Sequence, residues 1–172
     1  MIKGGKGGGK TITGLRFESR VTLEKVLSAI PNYKVSNDKV YFKSRIVAEF
    51  YPKNKLYKNL LEPKGVDYLK IISKRLLPDE AVLILKDNTL FIIEIKFQEV
   101  AGSVDEKLQT CDFKNREYKK LLAPLNISVK YTYVLSDWFK NPSYKDVLDY
   151  VKSVGCYYFF NELPMEFLGL PV

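Results

Sequence analysis

The sequence predicts an α/β domain built on a central mixed β-sheet flanked by helices. Two observations carry this prediction. Segments with strand character, either alternating or apolar throughout, are interleaved with segments of helical spacing in the order helix, strands, hairpin, helix, strand, helix, strand. The chain of 172 residues, 46% hydrophobic and 13% aromatic, is long and apolar enough for one buried core, and it carries no internal repeat.

Residues 1–12 form a Gly/Lys-rich arm, flexible because glycine is costly to order and lysine offers nothing to bury. Residues 13–172 form the single folded domain. From Thr13, a plausible N-cap, Leu15, Val21 or Thr22, Val26 and Ile30 recur at helical spacing and Pro31 closes the segment, which predicts a first helix. Residues 33–42 read as two short strands around Ser36-Asn37-Asp38, and residues 45–51 as a third strand ended by Pro52. Residues 53–77 read as short helical or irregular connections. The clearest local signal follows: two arms rich in branched apolar residues, 81–85 and 90–97, joined by the turn formers Lys86-Asp87-Asn88-Thr89, predict a β-hairpin. Ser103 then caps a helix with an apolar stripe of Val104, Leu108, Cys111, Tyr118, Leu121 and Leu122. A strand at 129–136, a helix at 144–154 and a strand at 156–160 complete the order.

Charge and absences narrow the chemistry. With 28 Lys+Arg against 20 Asp+Glu, the net charge of +8 points to an acidic partner. There is no histidine, which removes His-based triads, His-ligated zinc and a His general base. The two cysteines, Cys111 and Cys156, are far apart in sequence and suggest neither a disulfide framework nor a zinc site, but buried thiols. Apolar runs are far short of the roughly 20 residues that cross a bilayer, and the start of the chain has no signal-peptide core. The expectation is a soluble, intracellular protein without a membrane partner.

Acid-base or metal chemistry must therefore run on carboxylates, lysines, tyrosines or thiols. Asp79, after Pro78, stands at the entrance to the hairpin, and Glu94 and Lys96 stand inside its second strand. Folding back at Asp87-Asn88 brings Asp79 and Glu94 together, and period-2 alternation places Glu94 and Lys96 on one face with Ile93, Ile95 and Phe97 on the other. Two carboxylates this close repel unless a cation joins them, so the natural occupant is a hard divalent ion such as Mg²⁺. A neighbouring lysine can orient or deprotonate an attacking water or stabilise charge on phosphorus. An exposed charge ladder on an edge strand is the competing explanation, but the second arm is apolar enough to be buried on both faces, where unpaired charge costs several kcal/mol.

Pro78-Asp79 followed at hairpin distance by Glu94-Ile95-Lys96, with a helix before and after, resembles the PD-(D/E)XK nuclease superfamily and, within it, small type II restriction endonucleases. The resemblance spans residues 13–135 and implies a restriction-endonuclease-like core and Mg²⁺-dependent hydrolysis of DNA phosphodiester bonds, with Mn²⁺ able to substitute. It implies that Asp79 and Glu94 hold the metal, with Ile95 in the metal set, and that Lys96 positions or activates the water. Glu18 would be the additional helix carboxylate that reaches the metal, and Gln98 and Gln109 would touch the scissile phosphate or support the ligands. Gln98 continues the alternation of Glu94 and Lys96; Gln109 and Glu18 are equally compatible with solvated positions, and Glu99 and Asp67 are alternative acids.

Gly4 to Thr11 formally satisfies the phosphate-loop pattern G-x-x-x-x-G-K-[ST], but only three residues precede it, too few for the buried strand that pattern requires, so no nucleotide cofactor is expected. Lys3, Lys6, Lys10 and Arg16 are instead suited to follow a phosphate backbone. Further basic clusters are Lys53, Lys55 and Lys58; Lys70, Lys74 and Arg75; and Lys114, Arg116, Lys119 and Lys120, with Tyr51, Tyr57 and Trp138 nearby as aromatic neighbours. The expected partner is double-stranded DNA, cut on both strands by a homodimer with one site per copy. Competing expectations are a Holliday-junction resolvase, a homing or repair nuclease of the same fold, and a non-catalytic DNA-binding protein.

Overall fold

A computed structural model describes residues 14–17, 22–98 and 104–172, the side chains of Val104 and Asp105 excepted. The arm with Lys3, Lys6 and Lys10, the cap at Thr13, Glu18, Glu99 and Ser103 lie outside the described residues.

The strands are β1 (Gly14–Arg16), β2 (Tyr33–Ser36), β3 (Lys39–Phe42), β4 (Arg45–Phe50), β5 (Glu80–Ile84), β6 (Thr89–Lys96), β7 (Ser128–Leu135), β8 (Tyr157–Phe160) and β9 (Glu162–Pro164). The helices are α1 (Leu23–Ser28), α2 (Val104–Leu108), α3 (Cys111–Leu122), α4 (Lys145–Ser153) and α5 (Met165–Leu168). Seven strands form one mixed sheet in the order β2-β3-β4-β5-β6-β7-β8. The first five are antiparallel neighbours, with tight turns between β2, β3 and β4 and between β5 and β6 and a long helical connection over residues 51–79 from β4 to β5, whereas β6, β7 and β8 run parallel and are joined through α3 and α4. The sheet is thus α/β and mixed, as expected.

Each face of the sheet carries its own core. One face packs Leu83, Leu90, Ile92, Tyr131 and Tyr133 against Cys111, Tyr118, Leu121 and Leu122 of α3, Leu148 and Val151 of α4, and a π-helical turn at Leu56–Leu61. The other packs Val82, Phe91, Ile93 and Val134 against Leu23 and Leu27 of α1 and Met165 and Leu168 of α5. β6 is buried on both faces along most of its length, which explains its continuous apolar run.

Three expectations are corrected. Residues 13–30 are not one helix: Leu15 belongs to β1, which pairs with β9 through Leu15 opposite Leu163, and α1 starts only at Leu23, capped by Thr22. The helical spacing of Leu15 with Val26 and Ile30 is matched by a strand and a helix that bury the same core face. Residues 104–122 are likewise two helices, broken at Gln109 and Thr110. The basic-aromatic surface also changes: Tyr51 and Tyr57 are buried, and the Trp138 indole packs on the core and donates to the Tyr144 hydroxyl at 2.6 Å. Among the described residues, no helix is long and apolar enough to cross a membrane.

Candidate functional site

The β5–β6 hairpin builds the site. Its register sets Glu80 opposite Ile93 and Ile84 opposite Thr89, so Asp79, one residue before β5, falls beside Glu94. The turn at residues 85–88 holds Asn88 in the left-handed region, with φ of 50°. Asparagine tolerates that conformation well, so this short connection fixes the register.

Three charged side chains meet at the open end of the hairpin. Lys96 Nζ donates to Asp79 Oδ2 at 2.9 Å and to Glu94 Oε2 at 2.8 Å. The Ile95 amide donates to the same Asp79 Oδ2 at 3.2 Å. A fourth charge arrives from α3: Lys114 Nζ lies 3.7 Å from Glu94 Oε2. Glu94 is the most enclosed of the four, with its side chain 4% exposed, while Asp79 is 44% exposed. Under Glu94 lies a floor of tyrosines: Tyr133 is its parallel partner on β7, Tyr131 meets Tyr133 edge to face at 5.4 Å, and Tyr118 stacks on Tyr131. Burial, and then the charge of Glu94, push the Tyr118 and Tyr131 hydroxyls far up, so both stay neutral and the floor has a low dielectric. Burial by itself would push the Lys96 ammonium down, but the charge and hydrogen bond of Glu94, joined by those of Asp79, outweigh it and hold Lys96 above its usual range. Lys96 is therefore a cation at neutral pH.

Asp79 has a second surroundings. It lines a cleft of about 510 Å³ together with Thr22, Glu24, Lys53, Lys55 and Ile95. Lys55 is tied to Asp38 in an ion pair, whereas Lys53 has no ion-pair partner among the described residues. Next to it, the buried Glu80 accepts from the Leu23 amide at 3.1 Å, so the start of α1 is pinned to the start of β5. Glu80 escaped sequence reasoning because it points to the opposite face from Glu94.

The remaining expected residues are distributed as follows. Gln98 is buried, two residues past the end of β6; its backbone exchanges hydrogen bonds with the Ser136 hydroxyl, while its carboxamide has no partner among the described residues. Gln109 is exposed at the break between α2 and α3. Arg16 is exposed and paired with Glu162 at 3.3 Å. Asp67 caps a short helical turn through the Leu69 amide. Lys114, grouped by the sequence with Arg116, Lys119 and Lys120 as one basic cluster, reaches Glu94 in the site. The signal was present: Lys114 and Asn115 fill the gap in the stripe between Cys111 and Tyr118.

A hard divalent ion fits this donor set. Asp79 Oδ1 and Glu94 Oε1 accept no hydrogen bond among the described residues, leaving each carboxylate one oxygen to give. In an extended strand the N–H and C=O of a residue face the same edge, so the Ile95 carbonyl faces the side on which Asp79 is held. No three carboxylates or thiols gather among the described residues, and two carboxylates with water and substrate oxygens are what Mg²⁺ commonly accepts. Comparisons with protein-family models, curated proteins and solved structures find no match for this chain, so its chemistry must be argued from the geometry of the hairpin.

Proposed function

We propose that this chain is a divalent-metal-dependent endonuclease that hydrolyses DNA phosphodiester bonds, an intracellular enzyme of restriction-endonuclease type acting as a homodimer. The observation that carries the reading is that Asp79 and Glu94, brought together by one hairpin, share the half-buried Lys96 ammonium, with Glu94 itself buried. Buried charge is kept at such a cost only where it has a use or a full set of partners. The order α1, β4, β5, β6, α3, β7 is in keeping with a restriction-endonuclease-like core, and the net charge of +8 suits a polyanionic substrate.

Asp79, Glu94 and the Ile95 carbonyl would hold Mg²⁺ or Mn²⁺, which when bound supplies an acidified water and offsets charge on the phosphoryl group. Lys96, a cation, orients the attacking water and stabilises the charge that develops on the phosphate. Water adds to phosphorus in line as the bond to the 3′ oxygen breaks, giving a 5′ phosphate and a 3′ hydroxyl. Gln98 offers a buried carboxamide whose hydrogen bonds a substrate phosphate or its water can complete. Lys53, at the mouth of the cleft beside Asp79, is placed for the adjoining phosphate.

One observation favours a second reading. Asp79, Glu94, Lys96 and Lys114 balance as two negative and two positive charges, which suits a structural ion network in a DNA-binding protein. Incubating purified protein with supercoiled plasmid and with a synthetic four-way junction, in Mg²⁺ or EDTA, beside Glu94→Ala and Lys96→Ala, separates the readings. Discrete metal-dependent plasmid fragments that both variants lose are expected. Cutting of the junction alone points to a resolvase, and binding without cleavage in any metal leaves the structural network.

A further inference from the structure

The face of the sheet that carries Glu94 and Lys96 does not end where the helices end. Partners across strands share a face, and the chain of partners can be followed: Ile92 with Ala81, Leu83 with Glu49, Glu49 with Lys39, Lys39 with Ser36, and Tyr41 with Lys34. On β2 and β3 this face is uncovered; Lys34 and Lys39 are exposed and Tyr41 is half-buried. A groove of about 610 Å³ lies there, lined by Asn32, Lys34, Ser36, Tyr41, Lys43 and Ser44 beside the Tyr33 ring, without a carboxylate. Between residues 32 and 46 stand four cations, Lys34, Lys39, Lys43 and Arg45, none with an ion-pair partner among the described residues. The one acid in that stretch, Asp38, is neutralised by Lys55, and Glu49 opposite Lys39 accepts from the Tyr51 hydroxyl at 2.5 Å.

The turn from β3 to β4 adds an independent observation. Lys43 and Ser44 both occupy the left-handed region, with φ of 45° and 68°. Asn-Gly is the usual solution for two such residues, so a lysine is displayed here against its backbone preference. Local strain of this kind concentrates where a side chain is used.

We infer that the β2–β3 ribbon is the element that grips duplex DNA, Lys34 and Lys39 bonding phosphates from the same sheet face as the site, Lys43 from the turn that follows, and the ribbon's edge entering a groove. This rests on the nuclease reading for its substrate, but a two-stranded ribbon that presents Lys34 and Lys39 on one face, with Lys43 over the Phe42 ring at its turn, fits the width of the DNA major groove whether or not the bond is cut.

The test is fluorescence anisotropy with a labelled 20-base-pair duplex in EDTA, across a salt series, for the wild type, for Lys34→Gln/Lys39→Gln/Lys43→Gln, and for an equal-charge control, Lys64→Gln/Lys145→Gln/Lys152→Gln, whose lysines are exposed elsewhere. The ribbon variant is expected to bind about tenfold or more weakly at 0.1 M salt, with a log–log salt slope lower by about three, and the control to bind nearly as the wild type. A further variant, Lys43→Asn/Ser44→Gly, is expected to melt higher than the wild type while binding DNA more weakly, a combination that a purely structural turn does not produce. Equal losses in ribbon variant and control, or unchanged binding in the ribbon variant, overturn the inference. Plasmid cleavage in Mg²⁺ is scored on the same proteins: binding through the ribbon without cleavage refutes the nuclease reading alone, and cleavage with ribbon-independent binding refutes the ribbon alone.

Discussion

Removing the Lys96 charge while keeping its stem gives the sharpest test of how the hairpin holds its charges. In Lys96→Met the Glu94 carboxylate, 4% exposed, keeps only Lys114 at 3.7 Å, beyond hydrogen-bond reach. Stranding a buried charge costs 3–5 kcal/mol; Lys114 remains and Asp79 can rehydrate, so the loss falls at the low end, about 3 kcal/mol. For a chain of 172 residues that is about 6–12 °C in Tm. Glu94→Gln/Lys96→Met removes both charges and should recover about 2 kcal/mol of the loss, a coupling typical of contacting residues. Mg²⁺ should rescue Lys96→Met, by about 2.7 kcal/mol at a hundredfold excess over Kd, and stabilise the wild type less, because there the ammonium already occupies the charge. Urea unfolding followed through the single tryptophan, Trp138, with and without Mg²⁺, reads all four quantities. A Lys96→Met protein within about 0.5 kcal/mol of the wild type, or a double variant no better than the single one, refutes the argument.

Lys114→Gln withdraws a cation that competes with the ion at Glu94, so Mg²⁺ binding measured by calorimetry should tighten, by about 3–10-fold; unchanged affinity would show that the 3.7 Å approach does not matter in solution. Tyr33 donates to the Pro171 carbonyl at 2.7 Å, and burial lifts its hydroxyl from 10.0 to about 12. Because the folded value is raised, the stability it contributes is complete below pH 10 and lost as the pH rises towards 12. Tyr33→Phe should start about 1 kcal/mol lower at neutral pH, for the lost hydrogen bond, and converge with the wild type across that window in a Tm series; parallel curves contradict it. Cys111 and Cys156 are buried, so a thiol reagent should react at the rate of opening and reach two equivalents only in denaturant; rapid labelling of the native protein rules that burial out.

Legibility in the sequence followed the range of the interactions. The β5–β6 hairpin could be read, with the faces of Glu94 and Lys96, because its pattern and its turn lie within one short segment. The two turns of the β2–β3–β4 meander were equally local. What escaped was non-local or masked by like residues. β1 is three residues long and exists because β9, nearly the whole chain away, offers it a partner. Without that knowledge, Leu15 reads as the first turn of a helix. Lys114 sat among Arg116, Lys119 and Lys120, so only its place in the apolar stripe marked it, and its partner became visible once α3 was packed on β6 and β7. Arg116 and Lys120, by contrast, satisfy acids on their own helix, Asp112 and Glu117.

The antiparallel meander has a metrical consequence. Neighbouring strands are about 4.8 Å apart, so the three steps from β6 to β3 and the four to β2 measure roughly 14 and 19 Å. Duplex DNA rises about 3.4 Å per base pair, so those steps correspond to about four to six base pairs. A sheet of hydrogen-bonded strands barely stretches. DNA held on the ribbon would thus meet the carboxylates at a fixed offset of about half a helical turn, and the spacing between the contacted phosphates and the cut would be a property of strand count.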